Sequence, residues 1–242
     1  MNKIVAIILF AFIGSSSLDL NAQSRKKSIL IFYKTALYKH ASIPAGIAGL
    51  TKLARENRIH ADTSSNAELF TEDNLKKYNA VVFLSTSGDM LNDNQQAAFE
   101  NYIRNGGGYM GIHGASAGEY EWPWYGKLVG AVFNGHPKQQ NADFKIIDRK
   151  NRATRHLPAI WNIKEELYDF KNISNNIHVL ITVDESSYEG GKTGAVHPMA
   201  WYQEFEGGRS FYTALGHADE KYSEPLFMKH VLEGIRYAMG GR

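Results

Sequence analysis

Apolar runs alternating with helix-period segments organise the first half of the chain. Ser28 to Tyr33 (SILIFY) is continuously apolar, the pattern of a strand buried on both faces. Ser42, with Pro44 two residues on, opens a helix predicted to reach about Glu56, with Ile43, Ile47, Leu50 and Leu53 inward. Ile59 to Thr63 gives a weaker strand. Thr71 to Lys77 gives a short helix, capped by Thr71 with Glu72 and Asp73 in its first turn. Ala80 to Ser85 (AVVFLS) is another buried strand. Asn92 to Asn105 is a helix with Leu91, Ala98, Phe99, Tyr102 and Ile103 as its apolar contacts, ended by Gly106. Tyr109 to Ile112 is a strand that runs straight into His113. Strand and helix in alternation predict an α/β fold, an open, mostly parallel sheet with helices on both faces.

The second half has a different rhythm. Phe144 to Asp148, His178 to Asp184 and Ala200 to Phe205 are predicted strands. Glu206-Gly207-Gly208 turns the last of them into Arg209 to Leu215 as a hairpin. Ser223, with Pro225 close behind, starts a final helix ending near Met239. These segments predict antiparallel additions at one sheet edge. Roughly Ala115 to Glu166 is predicted to be an irregular wall of the site. No repeat, low-complexity tract or long linker divides residues 28–240, so they are expected to form one domain.

Gly106-Gly107-Gly108-Tyr109-Met110-Gly111-Ile112-His113-Gly114-Ala115 carries the clearest chemical signal. Small residues after a polar one permit a sharp turn at a strand's end, the way a nucleophile elbow presents its side chain. The carboxyl edge of an open α/β sheet is also where ligands bind. The residue expected to stand exposed there is His113, a general base or metal ligand rather than a thiol or hydroxyl nucleophile. The three glycines precede a strand instead of following one, so they mark a helix end and not a phosphate loop.

His217 closes the predicted strand after Gly216. If its strand and that of His113 are parallel neighbours, both imidazoles lie at one sheet edge. Glu166 stands nearby in sequence to Tyr168, with Glu165 before it. The expected catalytic residues are therefore His113, His217 and Glu166. His113, His136 and His217 are the expected ligands of a divalent metal such as zinc; metal-free acid/base chemistry uses the same residue types. His40 and His197 sit in loops that can join the site. His60, His156, His178 and His230 are expected to be structural, bonded to loop carbonyls. Lys34 at the end of the first strand, His40 and Tyr168 are candidate substrate contacts. Trp122, Trp124 and Tyr125 are a candidate stacking platform for a pyranose ring.

Composition narrows the partners. With 27 basic and 25 acidic residues the net charge is +2, which gives no footing for nucleic acid or an anionic membrane surface. The chain has no cysteine, which removes disulfides, thiol catalysis and a lipid anchor on cysteine. Lys3 followed by the apolar run Ile4 to Ile13 is too short to span a bilayer. Residues 1–22 are expected to be a secretory signal cleaved after Ala22, giving a periplasmic protein; a retained N-terminal anchor is the alternative.

Several of these segments together resemble the ThuA-like family, named for trehalose utilisation. They are Phe32-Tyr33-Lys34-Thr35, Tyr38 to Pro44, Phe83 to Asn92, Gly106 to Ala115 and Trp122 to Gly126. His136-Pro137, His197 to Trp201 and Arg209 to His217 complete the set. The resemblance implies a flavodoxin-like fold similar to class I glutamine amidotransferases. His113 falls where those enzymes carry their cysteine on the elbow, and His217 where they carry their histidine. Without the thiol, glutamine hydrolysis is not implied. The family association is with disaccharide catabolism, often on sugars first oxidised to a 3-keto form. The expected function is an enzyme acting on a (3-keto-)disaccharide or glycoside; the alternative is a non-catalytic sugar-binding module. The expected partner in either case is a small saccharide.

Overall fold

Five short strands lie side by side in parallel and carry their loops to one edge. A computed structural model describes residues 27–241; the expected signal segment, residues 1–22, lies outside them. The first element is β1 (Ser28–Phe32), buried along its whole length as its unbroken apolar run predicts. Next come α1 (Ile43–Glu56), β2 (His60–Ser64), α2 (Glu72–Leu75) and β3 (Ala80–Leu84). They are followed by α3 (Asp93–Arg104) and β4 (Gly108–Ile112). Asn92 and Gln95 form a reciprocal capping box that fixes the start of α3. All these elements fall within a few residues of their predicted bounds.

The segment after β4 is more ordered than predicted. It holds α4 (Pro123–Val129), β5 (Val132–Phe133), β6 (Gln140–Ile146) and β7 (Ile160–Glu165). The wall expected to be irregular thus holds one short helix and three strands, with loops between them. Then follow β8 (Phe170–Lys171), β9 (His178–Val183), β10 (Pro198–Phe205), β11 (Gly208–Thr213) and α5 (Pro225–Ala238).

The main sheet has the order β2-β1-β3-β4-β11-β10-β9-β6-β7. Its first five strands are parallel in a doubly wound order, and β10, β9, β6 and β7 extend it antiparallel. Side chains alternate between the two helical layers. Phe83 and Tyr109 pack against Phe99 of α3 and Tyr125 of α4. Leu84 and Met110 face the other layer, where Gly46 of α1 and Gly234 of α5 leave room for them.

β7 lies four strands beyond β11, about 19 Å away if the sheet were flat. Yet the side chain of Glu165, the last residue of β7, accepts the backbone N–H of Gly216 just after β11. The antiparallel half therefore curls over the carboxyl edge of the parallel half. A register shift between β10 and β9 around Ala200 supplies part of that bend.

Candidate active site

β3, β4 and β11 end level with one another, with Leu84 and Thr213 both paired to Ile112. The chain then turns sharply at His113, whose φ of 50° is left-handed. A non-glycine residue held there costs about 1–3 kcal/mol and needs surrounding contacts to keep it. Those contacts are present. Tyr212 Oη donates to the His113 carbonyl at 2.7 Å, and His113 Nδ1–H donates to the Ala214 carbonyl at 2.7 Å. The second bond fixes the tautomer, leaving Nε2 as the basic nitrogen aimed away from the backbone. Gly114 is required next. A Cβ there would lie 3.1 Å from both the His40 ring and the Ser85 backbone.

Three segments distant in sequence converge on His113 Nε2. His217, following β11, places Nδ1 at 3.2 Å. Glu166, following β7, places Oε2 at 3.3 Å from His113 Nε2 and 3.1 Å from His217 Nδ1. His40, in the loop after β1, brings Nε2 to 3.9 Å from the same oxygen. One donor atom from each of His40, His113, Glu166 and His217 lies within 4.8 Å of the others. The other Glu166 oxygen, Oε1, is 3.3 Å from His136 Nδ1. Tyr168 stacks at 4.4 Å on the His113 ring and has its hydroxyl 3.4 Å from His40 Nε2.

His113 does not stand exposed as expected. Tyr168, His40 and His217 close over its ring, and it is completely buried. Solvent reaches the group through His217 and His136, whose side chains are 23% and 38% exposed. Parallel neighbours β4 and β11 do bring His113 and His217 to one edge. His136 stands on the outer oxygen of Glu166, outside the convergent four, and His40 holds the place expected for it.

Electrostatics follow from this burial. Removal from water pushes His113 down to about 4, against the opposing pull of Glu166, so its Nε2 is an unprotonated donor at neutral pH. Burial also works against the charge of Glu166. Its close contacts with the His113, His217 and His40 rings prevail and hold the carboxyl well below the usual carboxylate range. The bond to Glu166 raises His217. Burial lifts Glu165 to about 7 even though the Gly216 and His217 backbone N–H groups donate to it.

The donor set fits a divalent cation. Three imidazoles and a carboxylate are a common set for zinc and other first-row divalent metals. Tetrahedral coordination at metal–nitrogen distances of 2.0–2.1 Å sets neighbouring ligand atoms about 3.3 Å apart. The separations among His113 Nε2, His217 Nδ1 and Glu166 Oε2 are 3.1 to 3.3 Å. Nothing in this set singles out zinc among such ions.

The remaining predicted residues divide. Tyr168 joins the site. Lys34 does not, because its Nζ donates to the Met90 carbonyl at 2.6 Å. The expected stacking platform is part of the packing between α4 and its surroundings. Trp122 stacks on Trp124 and Tyr125, and Tyr125 is buried with its hydroxyl donating to the Ala115 carbonyl. Trp124 lies against Phe205, with its indole N–H on Glu206. Their ring faces are already covered. Of the histidines expected to be structural, His156 and His230 do bind carbonyls, those of Leu226 and Ala153. His60 pairs with Asp62, and His178 stacks on Tyr202.

A support behind the site was not foreseen. Buried His197 donates Nε2–H to the Tyr168 carbonyl at 2.8 Å and sets Nδ1 against Glu185 Oε1 at 2.8 Å. Glu185 Oε1 also accepts the N–H groups of Thr193 and Gly194, and Asp169 Oδ1 accepts that of Lys192. Asp169, Glu185 and His197 are mutually close enough to suggest a second metal site. Both His197 nitrogens and Glu185 Oε1 are already committed, so the group is a clamp on the segment carrying Glu166 and Tyr168. The histidine was visible in the sequence as His197-Pro198; its acidic partners gave no signal.

Fold and site together define a doubly wound α/β protein with a histidine–carboxylate group at the carboxyl edge of its parallel strands. The family described as ThuA, trehalose utilisation, matches residues 28–238, and the chain belongs to that family. Membership points to carbohydrate metabolism. A ThuA-like protein from Bacteroides uniformis has a similar structure, with TM-score 0.75 and 21% identity over 90% of this chain and 93% of that one. Another from Parabacteroides merdae gives 0.74 and 20% over 89% and 91%. A beta-galactosidase from Bacillus circulans sp. alkalophilus gives 0.57 and 10%, covering 90% of this chain and 32% of that one. At such identities the likeness is one of fold, which is similar to the class I glutamine amidotransferases. No curated protein matches the chain in sequence.

Proposed function

We propose that this chain is an enzyme of carbohydrate catabolism that holds a divalent cation with His40, His113, Glu166 and His217 and acts on an oxidised disaccharide or glycoside. The convergence of these four donor atoms at the ligand-binding edge is the observation that supports the reading. A 3-keto group acidifies the neighbouring C2 proton. A cation bound beside it would supply Lewis-acid polarisation of the carbonyl oxygen. His136, outside the four, is the proton carrier. Its Nδ1 lies 2.9 Å from the Pro137 carbonyl, which leaves Nε2 to accept the C2 proton. Loss of that proton sets up expulsion of the glycosidic oxygen at C1, and His136 returns the proton to it. Glu166 orients His136 through Oε1 while its other oxygen stays with the three histidines.

A metal-free variant has one observation in its favour. His113 is pushed down and His217 raised, the separation expected of a base and an acid. One experiment distinguishes the two. Purified protein is assayed for bound metals and mixed with 3-keto-trehalose, with and without chelator. The cation reading expects one metal per chain, turnover stopped by chelator, and at least about 100-fold weaker metal binding in His113→Ala and Glu166→Gln. Turnover that survives chelation selects the metal-free pair. No turnover across several 3-keto-glycosides, metal supplied, rejects the enzyme, and saccharide binding that then survives in His113→Ala selects a non-catalytic binding module. We also propose export to the periplasm; the N-terminus of the exported protein is then Gln23.

A further inference from the structure

Leu37 and Tyr38 stand in water beside the candidate site, 67% and 65% exposed, in the loop between β1 and α1. Tyr38 lies edge-to-face with His40 at 4.8 Å between ring centroids, and His40 in turn is 4.6 Å from His113 and 5.6 Å from His217. The exposed ring is thus one ring removed from the convergent donors.

Its backbone is fastened. Thr35 bridges Ser87, the Ala36 N–H donates to the Ser87 carbonyl at 2.7 Å, and Ser87 Oγ–H donates to the Tyr38 carbonyl at 2.6 Å. Gly88, at φ 72°, leaves room for Leu37, whose Cγ would lie 2.8 Å from a Cβ at that position. An apolar ring left in water on an anchored backbone gives up little conformational freedom when something packs on it. The tyrosine pairs a flat apolar face with a polar tip, and a pyranose likewise pairs an apolar C–H face with a polar rim.

We propose that Tyr38 is the stacking platform of a subsite for the pyranose ring attached to the reacting one, with Leu37 against that ring's edge. The inference deepens the reading of the site as one that handles glycosides, and it places the sugar contact on the β1 loop instead of on Trp122, Trp124 and Tyr125. The ligand class is a neutral disaccharide or glycoside. The loop offers a flat apolar face, and no charged contact is needed to seat the second ring.

Saturation-transfer NMR with trehalose and methyl α-glucoside tests this on wild type, Tyr38→Ala and Tyr38→Phe. Binding to wild type, weakened about tenfold or more in Tyr38→Ala and kept within about twofold in Tyr38→Phe, is the expected result. Far-ultraviolet circular dichroism and metal content should match wild type, because Tyr38 is largely exposed, lies outside the core and touches the donor set only at the edge of His40. Equal binding by wild type and Tyr38→Ala overturns the proposal, and so does absence of pyranoside binding by wild type. Neither readout needs turnover. A chain that binds sugar through Tyr38 but holds no metal and converts nothing would sink the proposed function and leave this subsite standing.

Discussion

Glu165 and Glu166 are adjacent in sequence and serve opposite ends. At the close of β7 the strand's alternation sends Glu165 inward, where two backbone N–H groups receive it, and Glu166 outward to the histidines. Burial raises the first, and its histidine partners lower the second. A third titrating residue, far from the site, makes a separate prediction. His230 is buried in α5, donates Nδ1–H to the Ala153 carbonyl and is pushed down to about 4 by burial. The unfolded chain takes up this proton near the ordinary histidine value, 6.5, while the folded chain resists until about 4. Its contribution to stability is therefore complete above about pH 6.5 and is lost as pH falls toward 4, on the order of 3 kcal/mol in all. His230→Asn keeps an N–H for Ala153 but cannot titrate. Its unfolding free energy, measured by urea denaturation across that window, should fall less steeply than that of wild type. Parallel curves would show that His230 does not carry the dependence.

At the scale of elements, the His197 clamp couples the loop between β9 and β10 to the strip that follows β7. His197→Ala leaves the Tyr168 carbonyl without its buried donor, a loss of about 1–3 kcal/mol. It also frees the strip that carries Glu166, and cation affinity should drop about 10- to 100-fold. His197→Gln, which can restore the donor to Tyr168, should recover part of both. A cation titration in which alanine and wild type coincide would reduce the clamp to a fold-stabilising feature. The clamp also marks where legibility ended. The parallel half could be read because β1, β3, β4 and β11 are buried almost throughout and α2 and α3 carry side-chain N-caps. β7 could not. Its inward positions include Glu165, whose partners at Gly216 and His217 lie more than fifty residues away, so the apolar alternation that announces a strand is broken where function enters. β6 hides behind a small inward residue, Ala142, so the apolar pattern announces it only from Phe144, a few residues after it begins. The site itself was half legible. His113 and His217 followed from strand ends, but the arrival of Glu166 depended on the sheet's curl. The aromatic run at 120–125 announced rings without saying that they would cover one another.

On the whole-molecule scale, the donors belong to both halves of the sheet. His40, His113 and His217 follow β1, β4 and β11 of the parallel half, whereas Glu166 follows β7 at the far antiparallel edge. A cation held by all four would tie the curled half to the parallel half and bind only the assembled fold. Mass action then stabilises the whole domain by about 2.7 kcal/mol at a free cation concentration one hundred times Kd. For a chain of this size that raises the melting midpoint by roughly 5–10 °C. His113→Ala should lose nearly all of the increment. Because the tie crosses the sheet, hydrogen exchange should slow in β6 and β7 as well as at the end of β4. Slowing confined to the loops around His113 would mean that the two halves are stabilised independently. A midpoint indifferent to chelation in wild type would mean that the four donors meet without holding a cation.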